Sequence, residues 1–373
     1  MLQEIQHLVQ QIERRHGDPG PIEKAVIVER LRGLYESKAR RLPDDRAAMF
    51  DHLFLNLTEG VDQATKRQLA QTFAKFPKGP KGVVARLVLD EDPEVAAPLL
   101  SSALRIEHRL LTTVARQGGQ QHLRALAKRP GIGERITTPL ARRGDDDTVV
   151  ALSSNVTATF DTQGFDLLSE RARANAMLRS FICARPDIPD GQFAMLLALD
   201  GALACDEFDR EYRAPSLSGE ALLAMISAAM RDTAPSPFAG PIMRASFDYV
   251  ATRANRRSIR RDDIVRWLNR NQNEDAIAGL AFLSAMPPDL VERLFASDSL
   301  FPSAMLIKAI GFDWATLKPF WQARIDLSVP QEETLEVYKV FGTISVTTAR
   351  RFMRHVALRN KVIAFPEAPP RSL

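Results

Sequence analysis

The chain has 373 residues, 45% hydrophobic and 26% charged, an ordinary composition for a soluble globular protein. It excludes collagen, wholesale disorder and small disulfide scaffolds. Fifty basic residues oppose forty-six acidic ones, for a net charge of +4, which is too mild to imply nucleic acid by itself. The basic residues are 39 Arg and only 11 Lys.

In chain order, Leu2, Ile5, Leu8, Val9 and Ile12 recur at helical spacing and predict a first amphipathic helix. It stops at His16-Gly-Asp-Pro-Gly-Pro, where prolines remove donors and glycines free the backbone. Glu4 and Gln6 stand where a signal peptide would have an apolar block, and no apolar run approaches the ~18 residues of a transmembrane helix. Two cysteines, Cys183 and Cys205, do not suggest a disulfide framework. The expectation is a cytoplasmic protein without membrane insertion.

Residues 22–42 read as a second helix, ended by Pro43. From Asp44 onward helical patterns alternate with short turns almost to the end. The best strand candidate, Thr148-Val-Val-Ala-Leu, follows Asp145-Asp-Asp, a good helix start, and so reads as helix. There is no βαβ alternation. The predicted class is all-α.

Internal matches sharpen this. Leu87-Val-Leu-Asp-Glu-Asp-Pro-Glu-Val-Ala-Ala-Pro-Leu-Leu superposes without a gap on Leu140-Ala-Arg-Arg-Gly-Asp-Asp-Asp-Thr-Val-Val-Ala-Leu-Ser, which begins 53 positions later. Leu123-Arg-Ala-Leu-Ala-Lys-Arg-Pro matches Leu178-Arg-Ser-Phe-Ile-Cys-Ala-Arg-Pro, 55 positions later with one insertion. Stacked helical hairpins explain both, because one hairpin cannot bury its apolar face alone. In each acidic turn a carboxylate accepts orphan helix N–H groups.

Residues 123–158 contain Leu-Ala-Lys-Arg-Pro-Gly-Ile, then Leu-Ala-Arg-Arg-Gly-Asp-Asp-Asp-Thr-Val and Asn-Val-Thr-Ala. This resembles an uncharacterised bacterial, mainly alphaproteobacterial, family of unknown function with HEAT-like helical repeats. His122, Arg129, Pro130, Gly144, Asp145, Val149, Asn155 and Ala158 fall on its matching positions. Residues 216–321, with the turn Leu-Ser-Ala-Met-Pro-Pro-Asp-Leu-Val-Glu-Arg-Leu-Phe at 283–295, resemble its second half. The resemblance covers about residues 44–321. It implies a fold and brings no catalytic residues.

The residues themselves name no chemistry. The histidines at 7, 16, 52, 108, 122 and 355 form no His-x-x-x-His pair, there is no Cys-x-x-Cys, and so no metal or cofactor is expected. Gly131-Ile-Gly133 follows a helix and reads as a turn, and Cys183 lies in an apolar stretch and reads as inert core. Glu107-His108-Arg109 and Asp146-Asp147 read as surface and helix-start groups rather than acid–base pairs.

One basic concentration stands out. Eight arginines and three aspartates lie between Arg244 and Gln272. Arg253, Arg256, Arg257, Arg260 and Arg261 crowd around a predicted turn into the helix beginning near Asp262. They are candidate anion-binding residues, with Trp267 near enough to stack. The competing reading is a solvated turn neutralised by Asp262 and Asp263. A second basic stretch, Arg350-Arg-Phe-Met-Arg-His, reads as the solvated face of a helix that buries Ala349, Phe352, Met353 and Val356.

The expected organisation is N-terminal helices over residues 1–43, an α-solenoid of HEAT-like hairpins over 44–213, a second all-helical domain over 214–360, and an unstructured tail over 361–373. A proline-rich loop is expected at 234–241. The expected function is a non-enzymatic protein-interaction scaffold, regulatory or signalling in role. The alternative is anion or nucleic-acid binding through the arginine turn.

Overall fold

The computed structural model describes residues 20–38, 44–77, 79–102, 104–231, 241–256, 259–322 and 331–364. The predicted first helix, most of the 234–241 loop and residues 365–373 of the tail lie outside these. Among the described residues there are twenty-one α-helices and no strand, so the chain is all-α as its periodicity predicts. It divides into two compact units, Met1–Glu170 and Arg171–Leu373.

The first unit contains α1 (Pro21–Lys38), α2 (Asp44–Thr58), α3 (Gln63–Ala74), α4 (Lys81–Val88), α5 (Pro93–Ser101), α6 (His108–Gln117), α7 (Gln120–Ala127), α8 (Glu134–Arg143) and α9 (Asp146–Ser154). A tenth helix, α10 (Thr162–Ala172), runs across the boundary. Helices two apart in chain order pack together along much of the unit: α3 on α5, α5 on α7 and α7 on α9, with α2 on α4 and α6 on α8. The apolar stripe of each helix is thus covered by a neighbouring hairpin. Leu69, Phe73, Val95, Leu99, Leu123, Leu126, Val149 and Leu152 are all fully buried along the α3–α9 series.

This packing explains the internal matches. The 53-residue offset relates α5 to α9, and the 55-residue offset relates α7 to α11 (Ala176–Cys183). Each offset therefore spans two hairpins rather than one, because alternate hairpins begin and end differently. Asp92 and Asp145 cap α5 and α9, accepting the N–H groups of Glu94 and Thr148 at 2.9 and 2.8 Å. Glycine caps α7 instead.

The same two aspartates are held from the preceding helix of the series. Arg67 pairs with Asp92 and Glu94, and Arg124 pairs with Asp145 and Asp147.

Helices this short leave much of their backbone at ends, where four N–H and four C=O groups lack intrahelical partners. Side chains from other elements supply them. Arg129 is buried and donates to the carbonyls of Leu99, Leu100, Ser102 and Leu104, at and beyond the end of α5. Asn155 donates to Ala127 and Arg129, at the end of α7. His122 contacts the Asp90 carbonyl at 3.0 Å. At Gly144 an added Cβ would lie 2.6 Å from Thr148 Cγ2 and 2.7 Å from the Leu140 carbonyl oxygen, so only glycine fits that turn. Of the residues that carry the resemblance, His122, Arg129, Gly144, Asp145 and Asn155 thus lie at joints between helices.

The second unit contains α11, α12 (Asp190–Glu211), α13 (Gly219–Arg231), α14 (Pro241–Arg256), α15 (Arg261–Asn269), α16 (Asn273–Ser284), α17 (Pro288–Ala296), α18 (Phe301–Ile310), α19 (Trp314–Gln322), α20 (Gln331–Thr343) and α21 (Val346–Arg359). At its centre α18 is buried on nearly every side, from Phe301 through Ile307 and Ala309. It packs against α13, α16, α17, α19, α20 and α21. A helix apolar all round belongs in such a position.

The sequence places a domain boundary near residue 213, whereas the compact units meet at Glu170 and Arg171. Helix α12 packs on α13 and α21, and the Glu211 carboxylate accepts the Ser345 N–H at 2.7 Å, opening α21. Residues 171–213 therefore share their core with the C-terminal helices, a pairing far apart in sequence.

Replacing Arg129 with Met should remove the partner of four carbonyls while keeping the apolar stem. We expect a loss of about 3 kcal/mol in urea unfolding, with little recovery in Arg129→Lys, whose three donors lack the forked geometry. A midpoint unchanged from the parent would contradict this role.

Candidate functional site

Three places merit examination as sites: the arginine turn, a buried aspartate in the second unit, and a groove in the first.

The arginine turn lies between α14 and α15. Of its five candidate residues, Arg257 and the side chain of Arg256 lie outside the described residues. Arg253 lies on α14, Arg260 is the exposed N-cap of α15, and Arg261 opens that helix.

The Asp263 carboxylate, itself buried, gathers this region. It accepts from the Arg260 backbone N–H at 3.1 Å and pairs with Arg253 at 3.1 Å and Arg266 at 3.4 Å. The hydrogen bond to Asp263 raises the Arg253 pKa above its ordinary value. Arg261 donates to the Thr316 hydroxyl at 2.8 Å and pairs with Asp313 at 3.1 Å. An incoming anion would have to compete with Asp263 and Asp313 for these guanidinium groups.

Trp267 does not offer a stacking face. Its ring is buried against α16, where an added Cβ at Gly279 would lie 2.9 Å from Trp267 Cζ3. Arg253 sits 5.9 Å from the ring centroid, so the cation–π partner of the indole is internal.

The buried aspartate is Asp200, in the middle of α12. Its Oδ1 accepts from Arg179 Nε at 2.8 Å, and its Oδ2 lies 3.5 Å from His355 Nδ1 on α21. Arg179 also donates to the carbonyls of Ala172 and Arg173 at the end of α10. All three side chains are buried. At Gly201 an added Cβ would lie 2.9 Å from His355 Cε1, so glycine lets α12 and α21 approach there.

Burial raises the Asp200 pKa, but His355 and Arg179 outweigh it and hold the carboxyl below its ordinary value. Burial, with the Asp200 charge adding to it, pushes the neighbouring Cys183 thiol up to about 12. Cys205 is pushed up to about 11, chiefly by burial. Both thiols are free and protonated at neutral pH.

Arg179 and Asp200 stand 21 positions apart, as do Arg124 and Asp145. The second internal sequence match therefore carries the same pairing. In α9 the carboxylate caps a helix start at the surface, whereas in the longer α12 it is carried into the core.

Beside Asp200 lies a cavity of about 260 Å³, which Ser180, Thr347, Arg350, Arg351 and Arg354 also line. The sequence reads these arginines as a solvated face. The inward positions Ala349, Phe352, Met353 and Val356 are buried as predicted. The arginines, however, are tied into the fold: Arg350 donates to the Ala309 carbonyl at 2.8 Å, and Arg351 pairs with Glu207. Sequence periodicity alone could not show this, since the partners lie on α18 and α12.

In the first unit two adjoining depressions, of about 580 and 440 Å³, meet at Leu89, Asp90 and Glu91, in the turn between α4 and α5. One extends to Lys66 and Arg86, the other to Gln117 and His122. Lys66 pairs with Asp90 at 2.9 Å, and Leu89 is 48% exposed.

The remaining sequence candidates are structural. Asp146 and Asp147 occupy the first turn of α9. Glu107 caps α6 and pairs with Arg109 in the open. Gly131, with φ +68°, makes the turn before Gly133, which caps α8. Among the described residues no three His, Cys, Asp or Glu side chains converge as a metal site would require.

Among the described residues the chain is all-helical, and this architecture is what the comparison with known families rests on. Residues 95–354 match the family described as an uncharacterised protein conserved in bacteria (DUF2336), and the chain belongs to it. The match starts later than the resemblance read from the sequence, at Val95, and runs further, to Arg354 on α21. It therefore takes in Asp200 and the first part of α21, and stops one residue before His355. No curated protein and no solved structure matches the chain.

Because the Asp200 pKa lies below its ordinary value of 3.8, its pairing contributes stability above that value and loses it as pH falls through the lower, folded value. Asp200→Asn should lower stability at pH 7 and flatten the acid limb of the stability–pH curve below about pH 4. Urea midpoints from pH 2.5 to 7 test this. Parallel curves for parent and variant would refute it.

Proposed function

We propose that the chain is a non-enzymatic interaction scaffold whose first unit, read as HEAT-like repeats, presents a groove to an extended segment of a protein partner. The carrying observation is the pair of depressions that meet at Leu89. They run along an edge where successive hairpin turns recur, as stacked hairpins favour. A half-exposed leucine provides an apolar contact there. Asp90, Glu91, Arg86, Gln117 and His122 around it provide donors and acceptors for a peptide backbone. A regulatory role fits a chain whose polar constellations serve its own joints.

Two buried free thiols fit a reducing cytoplasm. Among the described residues no helix is long and apolar enough to cross a membrane.

Photo-crosslinkers placed at Leu89 and, as a control, at exposed Gln71 on α3 test the groove. The expected result is a discrete protein adduct from position 89 that survives nuclease and high salt and is absent from position 71. Leu89→Glu should abolish capture while leaving stability within about 0.5 kcal/mol. Equal adducts at both positions, or only nuclease-sensitive, salt-labile material, would overturn the reading. The latter would direct attention to Arg253, Arg260 and Arg261.

A further inference from the structure

Helix α1 packs on α2 and α3, and Val28, Leu31 and Tyr35 are buried on that side. The opposite side carries a second, smaller apolar stripe. Ile22 is 82% exposed and Val26 51%, and Ile22 is the most exposed large apolar side chain among the described residues. At 3.6 residues per turn, positions 22, 26 and 33 fall within about 40° of one another around the helix. Position 33 is an exposed glycine, where an added Cβ would meet nothing within 4 Å among the described residues. Single exposed apolar residues are commonplace. Here two of them and a glycine lie in line, on the outer side of a stack of hairpins. The ends of such stacks ordinarily carry a polar outer face.

The sequence immediately before α1 supplies a matching surface. Residues 1–19 lie outside the described residues, and their periodicity predicts an amphipathic helix with Leu2, Ile5, Leu8, Val9 and Ile12 on one face. A helix over residues 1–15 would be about 22 Å long, against about 27 Å for the 18 residues of α1. Such a helix is marginal in water unless its apolar face is covered. Only the five residues from His16 to Gly20 join it to Pro21, where α1 opens. Connections this short set consecutive helices side by side and antiparallel.

That link also sets the register. Counted outward from the turn, Ile12 comes level with Lys24, Val9 with Ile27 and Ile5 with Leu31. On the outer side of α1, Ile12 then falls between Ile22 and Val26, and Val9 lies beside Val26. Leu2 and Ile5 flank Gly33, whose missing side chain leaves them room. The charges agree with this register. Glu4 approaches the exposed Arg30 and Arg14 the exposed Glu23, with opposite signs in both cases.

We propose that residues 2–15 pack as an antiparallel amphipathic helix on the Ile22–Val26–Gly33 stripe of α1 and close the open side of the first unit. This contact is independent of the groove at Leu89.

Disulfide trapping in the full chain tests the proposal. Val9→Cys with Val26→Cys places two thiols across the contact, and Gln10→Cys with Val26→Cys is the control at the same level on the polar face. The native Cys183 and Cys205 are buried and should not compete. With diamide at micromolar protein, using a mixture of isotopically light and heavy chains, we expect an intramolecular 9–26 disulfide to form at least about tenfold faster than the 10–26 disulfide. Equal rates would overturn the proposal. A 9–26 bond formed chiefly between light and heavy chains would assign the stripe to a second copy and would also overturn it.

A second measurement needs no cysteine. Ile22→Asp with Val26→Asp changes only exposed positions of α1 and leaves Val28, Leu31 and Tyr35 in place. Amide hydrogen exchange over residues 5–12 should be slow in the parent and at least about tenfold faster in this variant, with exchange in α3 and α5 unchanged. Unprotected amides over 5–12 in the parent, or equal protection in parent and variant, would overturn the proposal.

Discussion

The constraint on which this structure depends is the supply of hydrogen-bond partners to helix ends. Most of its helices are only eight to fifteen residues long, so end groups form a large share of the backbone. An unpaired backbone group inside the fold would cost about as much as a lost hydrogen bond. The chain meets this demand with side chains sent across from other helices. Carboxylates serve the N-terminal ends: Asp51 takes the N–H groups of Gly82 and Val83 at α4, Glu333 that of Leu300 before α18, and Glu211 that of Ser345. Cationic and amide groups serve the C-terminal ends: Arg129 at α5, Arg143 at α6, Asn155 at α7, Arg179 at α10, Arg293 at α13 and Lys308 at α20. The signs agree with the helix dipole.

Here the excess of arginine over lysine has a physical use. A guanidinium can bridge several carbonyls in a fixed plane, as Arg129 does, whereas an ammonium is a single point with rotatable donors. The same chemistry accounts for the arginine turn between α14 and α15, where Asp263 and Asp313 take up charges that look like an anion site in sequence. Around Asp200 it has a different outcome. There the carboxylate sits in mid-helix, buried between Arg179 and His355, and a small cavity lined by three arginines of α21 lies beside it. The same Arg–Asp pairing, Arg124–Asp145 and Arg179–Asp200, thus serves as a surface joint in one unit and as a buried pair in the core of the other.

Much of this was legible in the chain. Helical periodicity predicted the class, and the acidic turns marked the starts of α5, α9 and α15. The Met-Pro-Pro turn located the junction of α16 and α17, where Ala285 takes a left-handed conformation and Pro288 opens the next helix. The internal matches pair α5 with α9 and α7 with α11, two hairpins apart. The burial of Ala349, Phe352, Met353 and Val356 followed from spacing alone. These features are local, set by backbone donors, by proline and glycine, and by which face of a single helix is apolar.

What the sequence determined by itself, then, is the class, the helix starts and the apolar faces, because each depends on residues within a few positions of one another. The tertiary structure alone decided the partners. It set the boundary at Glu170 rather than near residue 213, since the core of α12 is completed by α21, over a hundred residues later. It turned Trp267 inward, and it brought Asp200, His355 and Arg179 together with the α21 arginines. Those pairings depend on how helices distant in the chain cross, and single-helix periodicity carries no information about that crossing.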